Sequence, residues 1–299
     1  EFNETIDFDL LIKKLFNSKL TIFIITSIFA ISSIIIALSI DDLYTSDMIV
    51  EEVNVESENI GNSGFGSIGA LTGFTFSGQQ EKTKTVIAKE VITTRDFFDE
   101  LLKDDTFIIE LLAIDSFDSK SGNLRYNQEA YDIKNGQLKP AFLESLSYND
   151  IHQTFLNSIS WTELESGSTK IAVTHLSPYI AKDWLDKIFI TLNDSVKNIS
   201  VDKANKSLDY LNDQLVKSNA AELTKLISAL IEKEIKTLML AEVSEYFVFS
   251  IVDSSRVPEE KSYPHRAMIC IIITIVGFIF ACFASLVRQN NTFSLRKEH

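Results

Sequence analysis

The sequence is poor in the residues that hold proteins together by covalent or metal bonds. It has 2 cysteines and 4 histidines in 299 residues. Cys270 and Cys282 share one apolar run and lie about 18 Å apart along a helix, too far to bridge each other within one chain. The long region before that run therefore has no disulfide and depends on its core, or on assembly, for stability.

The scarcity of histidine also bears on catalysis. The 4 histidines lie in different segments, and no H-E-x-x-H, G-x-S-x-G or Cys/His cluster occurs. Adjacent carboxylates such as Asp104 and Asp105 are typical of a solvated acidic surface. We predict that the protein is not an enzyme, with no catalytic residue, no metal ligand and no cofactor.

Basic residues are outnumbered, 28 Lys and Arg against 42 Asp and Glu, which gives a formal charge of −14. The two ends of the chain are nearly balanced or basic, so the acid excess lies in residues 41–265. Such a surface is a poor match for nucleic acid or for an anionic glycan bound through a broad electrostatic patch. We predict that the chain binds no nucleic acid and that its charge serves solubility.

Glycine is also sparse, and 6 of the 10 glycines fall between Gly61 and Gly78. This segment contains a formal G-x-G-x-x-G match from Gly64 to Gly69. A pyrophosphate site needs a buried strand before the glycines and a helix after them. The preceding residues 51–60 are acidic and broken, and more glycine follows. We expect a mobile surface or lumen loop.

Two long apolar runs, 20–40 and 268–287, bracket the rest of the chain. Each has the length of about twenty uncharged residues that a helix needs to cross a bilayer. Lys13, Lys14 and Lys19 precede the first run and Asp41 and Asp42 follow it, which places the N-terminus in the cytoplasm. We predict a cytoplasmic tail 1–19, a transmembrane helix 20–40, an exported domain 41–267, a second transmembrane helix 268–287 and a cytoplasmic tail 288–299.

A cleaved signal peptide is the alternative interpretation of residues 1–40. The small residues around Ala37 resemble a cleavage site. The apolar core of a signal peptide is typically only about 7–15 residues, however, and this run is longer. The length favours a retained membrane span.

The exported region mixes the two kinds of periodicity. Residues 44–55 have the β-branched and aromatic composition of a strand, and 81–102 repeat apolar residues with a helical period that breaks at Thr93 and Thr94. A turn-rich stretch 116–137 and a short helix 141–156 follow. Residues 158–165 and 169–175 have the pattern of a hairpin with Gly167 in its turn, and 247–252 return as a strand.

A helical arm over about 178–243 is the most distinctive part of this region. Pro178 stands at the first helical position, no breaker follows until Val216, and Asn219 offers an N-cap for a second helix ending near Val243. An antiparallel pair of this length has one apolar seam, which stabilises it weakly. The pair is either a self-contained hairpin or a surface for neighbouring copies, and we favour oligomerisation. The predicted fold class is an α+β periplasmic domain with a long helical arm, an antiparallel helix pair, flanked by two transmembrane helices.

Several segments, read in order, resemble the Wzz-type chain-length determinants, the polysaccharide co-polymerases of bacterial envelope glycan assembly. They are IDFDLL at 6–11, YTS at 44–46, SPYIAKDW at 177–184, LMLA at 238–241, YFVF at 246–249, VPEEKS at 257–262 and PHRA at 264–267. Pro258 and Pro264 correspond to the family's proline-containing segment before the second span. The short tail after Val287 carries no phosphate-binding loop, so the chain resembles the class without a cytoplasmic kinase.

The resemblance implies an α/β base near the membrane, a helical arm reaching away from it and protomers arranged in a closed ring. It implies a two-pass protein of the bacterial inner membrane that regulates the modal length of a lipid-linked glycan, typically lipopolysaccharide O-antigen. Its expected partners are copies of itself, a membrane polysaccharide polymerase, the lipid-linked glycan and membrane lipids. The alternative is a two-span periplasmic sensor or receptor subunit that signals through a partner.

Small residues in the two spans suggest where helices meet. Gly277, Ala281 and Ser285 share one face of the second span, and Ala30 and Ala37 belong to similar pairs in the first. Small residues let helix backbones approach closely inside a membrane. We predict that these five positions are sites of membrane packing.

Overall fold

The computed structural model describes residues 18–53, 83–217 and 220–295, without the side chains beyond residue 287. In chain order its elements are α1 (Lys19–Ser39), β1 (Tyr44–Glu52), α2 (Lys84–Val91), α3 (Arg95–Leu101), α4 (Asp105–Ala113), β2 (Ile114–Asp118), β3 (Asn123–Tyr126), β4 (Tyr131–Asp132), β5 (Gln137–Leu138), α5 (Pro140–Ser145), α6 (Tyr148–Ser158), β6 (Ile159–Glu163), β7 (Thr169–His175), α7 (Pro178–Lys217), α8 (Ala221–Val243), β8 (Phe249–Asp253) and α9 (Arg266–Leu295). They form two compact units. Residues 44–259 make one, and the two terminal regions make the other.

The terminal unit is built from α1 and α9, which pack against each other. Both are long and apolar enough to cross a membrane, over Lys19–Ser39 and Arg266–Val287. These ranges match the two apolar runs within two residues, and α9 continues to Leu295. The helices are therefore candidate membrane spans, as predicted.

The central unit contains a four-stranded antiparallel sheet in the order β6-β7-β1-β8. The β1–β7 pairing runs from Tyr44 opposite His175 to Val50 opposite Thr169. The predicted hairpin is confirmed as β6 and β7, and its turn holds Gly167 at φ +86°, a conformation that glycine adopts without steric cost. The predicted first and last strands are confirmed as β1 and β8, and the mixed composition confirms the α+β fold class.

One face of the sheet and the surrounding helices enclose an aromatic core. Phe155 lies at its centre, where its ring stacks on Phe98 at 4.9 Å between centroids and also contacts Phe97 and Phe107. The largest fully buried side chains are Trp184, Phe97, Phe98, Phe107, Phe155, Phe189, Phe249, Met48, Leu101, Ile171, Leu185 and Ile188. Apolar burial of this extent is the main source of stability for a domain without disulfides.

Three local predictions meet different outcomes. The break at Thr93 and Thr94 is confirmed, because the Thr94 hydroxyl accepts from the Phe97 N–H and caps α3. The stretch 116–137 contains two small hairpins, β2–β3 and β4–β5, rather than turns alone. The single helix predicted over 141–156 is wrong, because it is divided into α5 and α6, and Ser147 caps α6.

The two helices of the arm agree with the prediction in extent. α7 begins at Pro178 as expected and spans 40 residues, and α8 spans 23. The structure places the N-cap of α8 at Ala220, one residue after the predicted one; Asn219 lies outside the described residues, as does the glycine segment from Gly61 to Gly78. The arm is thus a pair of packed helices, α7 and α8.

The start of α7 is attached to α4 by a buried polar cluster. The Trp184 indole N–H donates to the Glu110 carboxylate at 2.6 Å, and the Trp184 ring stacks on Phe107. His175 accepts from the Ser177 N–H through Nδ1, so its Nε2 carries the proton and donates to the Glu110 carbonyl. Burial lowers the pKa of His175, which keeps the ring neutral.

Glu110 is the member of this cluster whose ionisation is opposed by its surroundings. Burial raises the pKa of its carboxyl, the Trp184 hydrogen bond opposes that shift, and the charges of Asp104 and Asp183 add to it. A carboxyl whose pKa is raised in the folded state binds its proton more tightly there than in the unfolded chain. Its ionisation therefore lowers the free energy of unfolding as pH rises from 4.5, its ordinary pKa, through the folded value.

We expect Glu110→Gln to become more stable relative to the parent protein as pH rises from about 4 to 7. The glutamine oxygen still accepts from Trp184 but has no charge to bury. The measurement is the thermal unfolding midpoint of both full chains in mild detergent across this pH range. Glu129→Gln, at an exposed position, is the control. Parallel pH profiles for the two variants contradict the prediction.

Candidate functional sites in the spans and the helical arm

The two helices α1 and α9 approach each other closely at Gly277. A Cβ at this position would lie 2.4 Å from the Cβ of Phe29 and 2.5 Å from its Cγ, so the Phe29 ring fits only because residue 277 has no side chain. The same ring contacts Phe280 at 6.0 Å between centroids. Gly277 therefore lies at a packing contact within one chain.

The other four predicted packing residues lie on or beside this buried face. Ala37, Ala281 and Ser285 are buried, and Ala30 is half-buried. The Ser285 hydroxyl is buried without a hydrogen-bond partner among the described residues. Packing between neighbouring copies through these positions stays a prediction.

An ion cluster joins the chain just after α1 to the chain just before α9. Asp42 Oδ1 accepts from Lys261 Nζ at 3.0 Å and from Arg266 at 3.0 Å. The Leu43 N–H donates to the Tyr263 carbonyl, and the Leu43 carbonyl accepts from the Ser262 N–H, each at 2.8 Å. The two helices are thus held together at this end by backbone and by charge.

The two prolines predicted to precede the second span have different settings. Pro264 is buried, follows a cis peptide bond from Tyr263 and belongs to the terminal unit. Pro258 is half-buried and belongs to the central unit. In the sequence, Asp42 served only as a topology signal and Arg266 only as part of the PHRA segment of the family resemblance. Their opposite charges next to the two spans were the signal that could have predicted an ion pair.

The arm helices bury one seam and expose apolar side chains elsewhere. Trp184, Leu185, Ile188, Leu192 and Val196, apolar residues at helical spacing along the first half of α7, are buried. Ile199, the next residue in this spacing, is instead 50% exposed, although Val201 beyond it packs against the core. Further exposed apolar residues on the pair are Tyr210, Val216, Leu223, Ile235, Met239 and Val243.

Asn193, which the sequence analysis did not single out, joins the two ends of the arm. We call its contact with Val248 and Phe249 the neck. The Asn193 side-chain oxygen accepts from the N–H groups of Val248 and Phe249, and its amide donates to the Phe189 carbonyl. One buried side chain thus joins the helix that enters the arm to the segment that leaves it. A single asparagine among apolar helix positions was the available signal.

Within the described residues, no group of three or more His, Cys, Asp or Glu side chains is arranged to hold a metal ion. The polar clusters at Asp42, Glu110 and Asn193 bind their own chain, through ion pairs and hydrogen bonds between distant elements. These clusters hold distant elements of the chain in fixed positions.

We expect Gly277→Leu to lower the stability of the full chain by about 1–3 kcal/mol, because the new side chain collides with Phe29. Phe29→Ala in the same chain should recover part of this loss, which a double-mutant cycle in mild detergent measures. Ile279→Leu, at an exposed position of α9, is the control. An unchanged thermal midpoint together with an unchanged complex mass contradicts both the contact and the predicted role in assembly.

We expect Asp42 to couple to Lys261 and to Arg266 by about 0.2–1 kcal/mol each, because these ion pairs are partly exposed. Alanine double-mutant cycles in detergent give each coupling energy, and added salt should weaken it. The pair Glu232 and Lys236 on α8 provides a reference within one helix. Coupling energies of zero at low salt count against the cluster.

A protein family and a solved structure are similar to this chain. The family model of Wzz, chain length determinant protein, matches residues 4–104. No curated protein gives a significant match. A solved structure of a full-length bacterial polysaccharide co-polymerase matches 96% of this chain and 97% of its own at 12% identity and a TM-score of 0.37, too low a score to argue from. Over residues 4–104, about a third of the chain, the family model agrees with the resemblance drawn from the sequence.

Proposed function

We propose that this protein regulates the modal chain length of a lipid-linked surface polysaccharide, the O-antigen of lipopolysaccharide. It acts as a non-catalytic co-polymerase beside a separate membrane polymerase, which makes the glycosidic bonds. The observation that carries the proposal is the match of residues 4–104 to the chain length determinant family. The two candidate spans around an α+β unit with a long helix pair agree with it.

In this proposal the protein is a two-pass protein of the bacterial inner membrane with both termini in the cytoplasm. Lys19 opens α1 and Asp42 follows it, a charge difference that favours export of residues 41–267. The central unit then lies in the periplasm, where a growing lipid-linked glycan can reach it. The acidic charge of this region suits a soluble surface rather than one that holds the glycan by charge.

We also propose that the active form is a closed homo-oligomeric ring. The arm exposes apolar side chains along both helices, among them Ile199, Leu223 and Ile235. A second copy can cover such side chains, and repeated copies of one heterologous contact close into a ring when the rotation allows it. Function then arises from geometry, because the spacing of the copies biases when the polymerase stops extending a chain.

The test is the envelope polysaccharide ladder on a gel. Three strains are compared: the parent, a deletion of this gene, and the deletion carrying the gene on a plasmid. We expect deletion to abolish the modal length and the plasmid to restore it, because a polymerase without its regulator stops at random.

The empty plasmid is the control for copy number and growth. A ladder that is the same in all strains contradicts the proposal and moves attention to the sensor alternative. In that case a small molecule that raises the melting temperature of the full chain in detergent is the next observation to seek.

A further inference from the structure

The arm leaves the sheet along α7, and the chain returns to the sheet at residues 247–249, where β8 begins. Asn193, on α7, is only 3% exposed. Its Oδ1 accepts from Val248 N at 2.9 Å and from Phe249 N at 3.1 Å, and its Nδ2 donates to the Phe189 carbonyl at 3.1 Å. Both ends of the side-chain amide are used.

Two carbonyls of the returning segment accept hydrogen bonds from two other parts of the chain. Lys84 Nζ donates to the Phe247 carbonyl at 2.9 Å and lies 4.2 Å from the centroid of the Phe247 ring. The Val53 N–H donates to the Val248 carbonyl at 2.8 Å. Phe247, Val248 and Phe249 are all buried, so these bonds replace water.

Lys84 is itself held in place by the end of β1. The Glu52 carboxylate accepts from the backbone N–H groups of Lys84 and Thr85 and from the Thr85 hydroxyl at 2.6 Å. This fixes the first turn of α2, from which the Lys84 side chain reaches the returning segment. Three elements, α7, α2 and β1, therefore meet at one short piece of backbone.

The energetic consequence is a fixed register. A buried N–H left without an acceptor destabilises the folded state, so moving residues 248 and 249 away from Asn193 is unfavourable. A buried polar side chain that must meet particular partners can fix an alignment that apolar packing leaves free, as polar core residues do in coiled coils. Asn193 thus fixes where the segment that follows α8 meets α7.

The position of the far end of α7 depends on the orientation of the helix at the neck. α7 continues for 24 residues beyond Asn193, about 36 Å. A rotation of about 5° at the neck displaces the far end of such a helix by about 3 Å. That displacement is enough to change which side chains two neighbouring arms bring together.

We propose that Asn193, supported by Lys84, is the positioning residue that sets the pitch of the arm and thereby the modal length of the glycan. This inference rests on the proposed function, because it takes arm geometry as the property that the polymerase senses. Asn193 contacts neither glycan nor polymerase in this account and acts through the arm alone.

The experiment compares Asn193→Leu with Val196→Ala in the full chain. Leucine is branched at Cγ as asparagine is, although it is larger, and it accepts no hydrogen bond. Val196 is equally buried one turn later on α7, and its truncation removes packing without touching the neck. Hydrogen exchange in detergent reads the amides of Val248 and Phe249, and the polysaccharide ladder reads function in the deletion strain at matched protein levels and complex mass.

We expect Asn193→Leu to speed exchange of both amides by about tenfold or more and to shift or broaden the modal length. Val196→Ala should lower the melting temperature yet keep slow exchange and the parental mode. Asn193→Asp, which retains an acceptor oxygen, should keep more protection than leucine does. Lys84→Met keeps the stem over Phe247 but loses the donor, and it should also broaden the mode. This variant replaces Asn193→Leu in the test if Asn193→Leu does not fold.

Unchanged exchange at residues 248 and 249 in Asn193→Leu overturns the role of Asn193 at the neck. Faster exchange with a parental ladder overturns its role in chain length. Equal effects of Val196→Ala and Asn193→Leu on the ladder also overturn that role, because lost stability alone would then explain both. A parent plasmid that restores no mode overturns the proposed function and this use of the arm, while the exchange result still decides the neck.

Discussion

Pairing of β1 on both of its edges is the constraint on which the rest of the central unit depends. β7 lies on one side and leads directly into α7, and β8 lies on the other and receives the chain from α8. Both ends of the helical arm are therefore attached to one strand. Backbone hydrogen bonds in a sheet define a register that side-chain packing alone would leave free. The arm can be long and mostly solvent-exposed because its two attachments are part of the same sheet.

Polar side chains then decide how elements meet where apolar packing would allow several answers. Trp184 and Glu110 join the root of α7 to α4, and Asn193 joins α7 to the returning segment. Asp42 does the same for the chain next to the two candidate spans. Each of these contacts has a direction and a distance, which an aliphatic surface lacks. The proposed regulation through arm geometry needs such contacts, because small errors at an attachment grow along a helix.

The pairing of the two candidate membrane spans, α1 and α9, depends on a different kind of contact. Helices in lipid gain little by hiding apolar surface from one another, so close approach of backbones and shape complementarity decide their pairing. Gly277 and Phe29 meet this need by a missing side chain on one helix and a ring on the other. The small residues predicted for contacts between copies are thus already engaged in part within one chain. The proposed ring must then rely more heavily on the arm and on the central unit.

The sequence by itself determined the features that depend on local composition and period. The two apolar helices, the hairpin around Gly167 and α7 from Pro178 follow from run length, alternation, a turn residue and a helix-compatible proline, all of which act within a few residues. The small hairpins between residues 114 and 138 were not predicted from the sequence, because their strands of two to five residues are too short to display a period. The tertiary structure alone decided the contacts between distant residues, such as Glu110 with Trp184, 74 residues apart, and Asn193 with Val248, 55 apart. Such contacts depend on where whole elements are placed by the sheet and the core, and no local pattern in the chain encodes that placement.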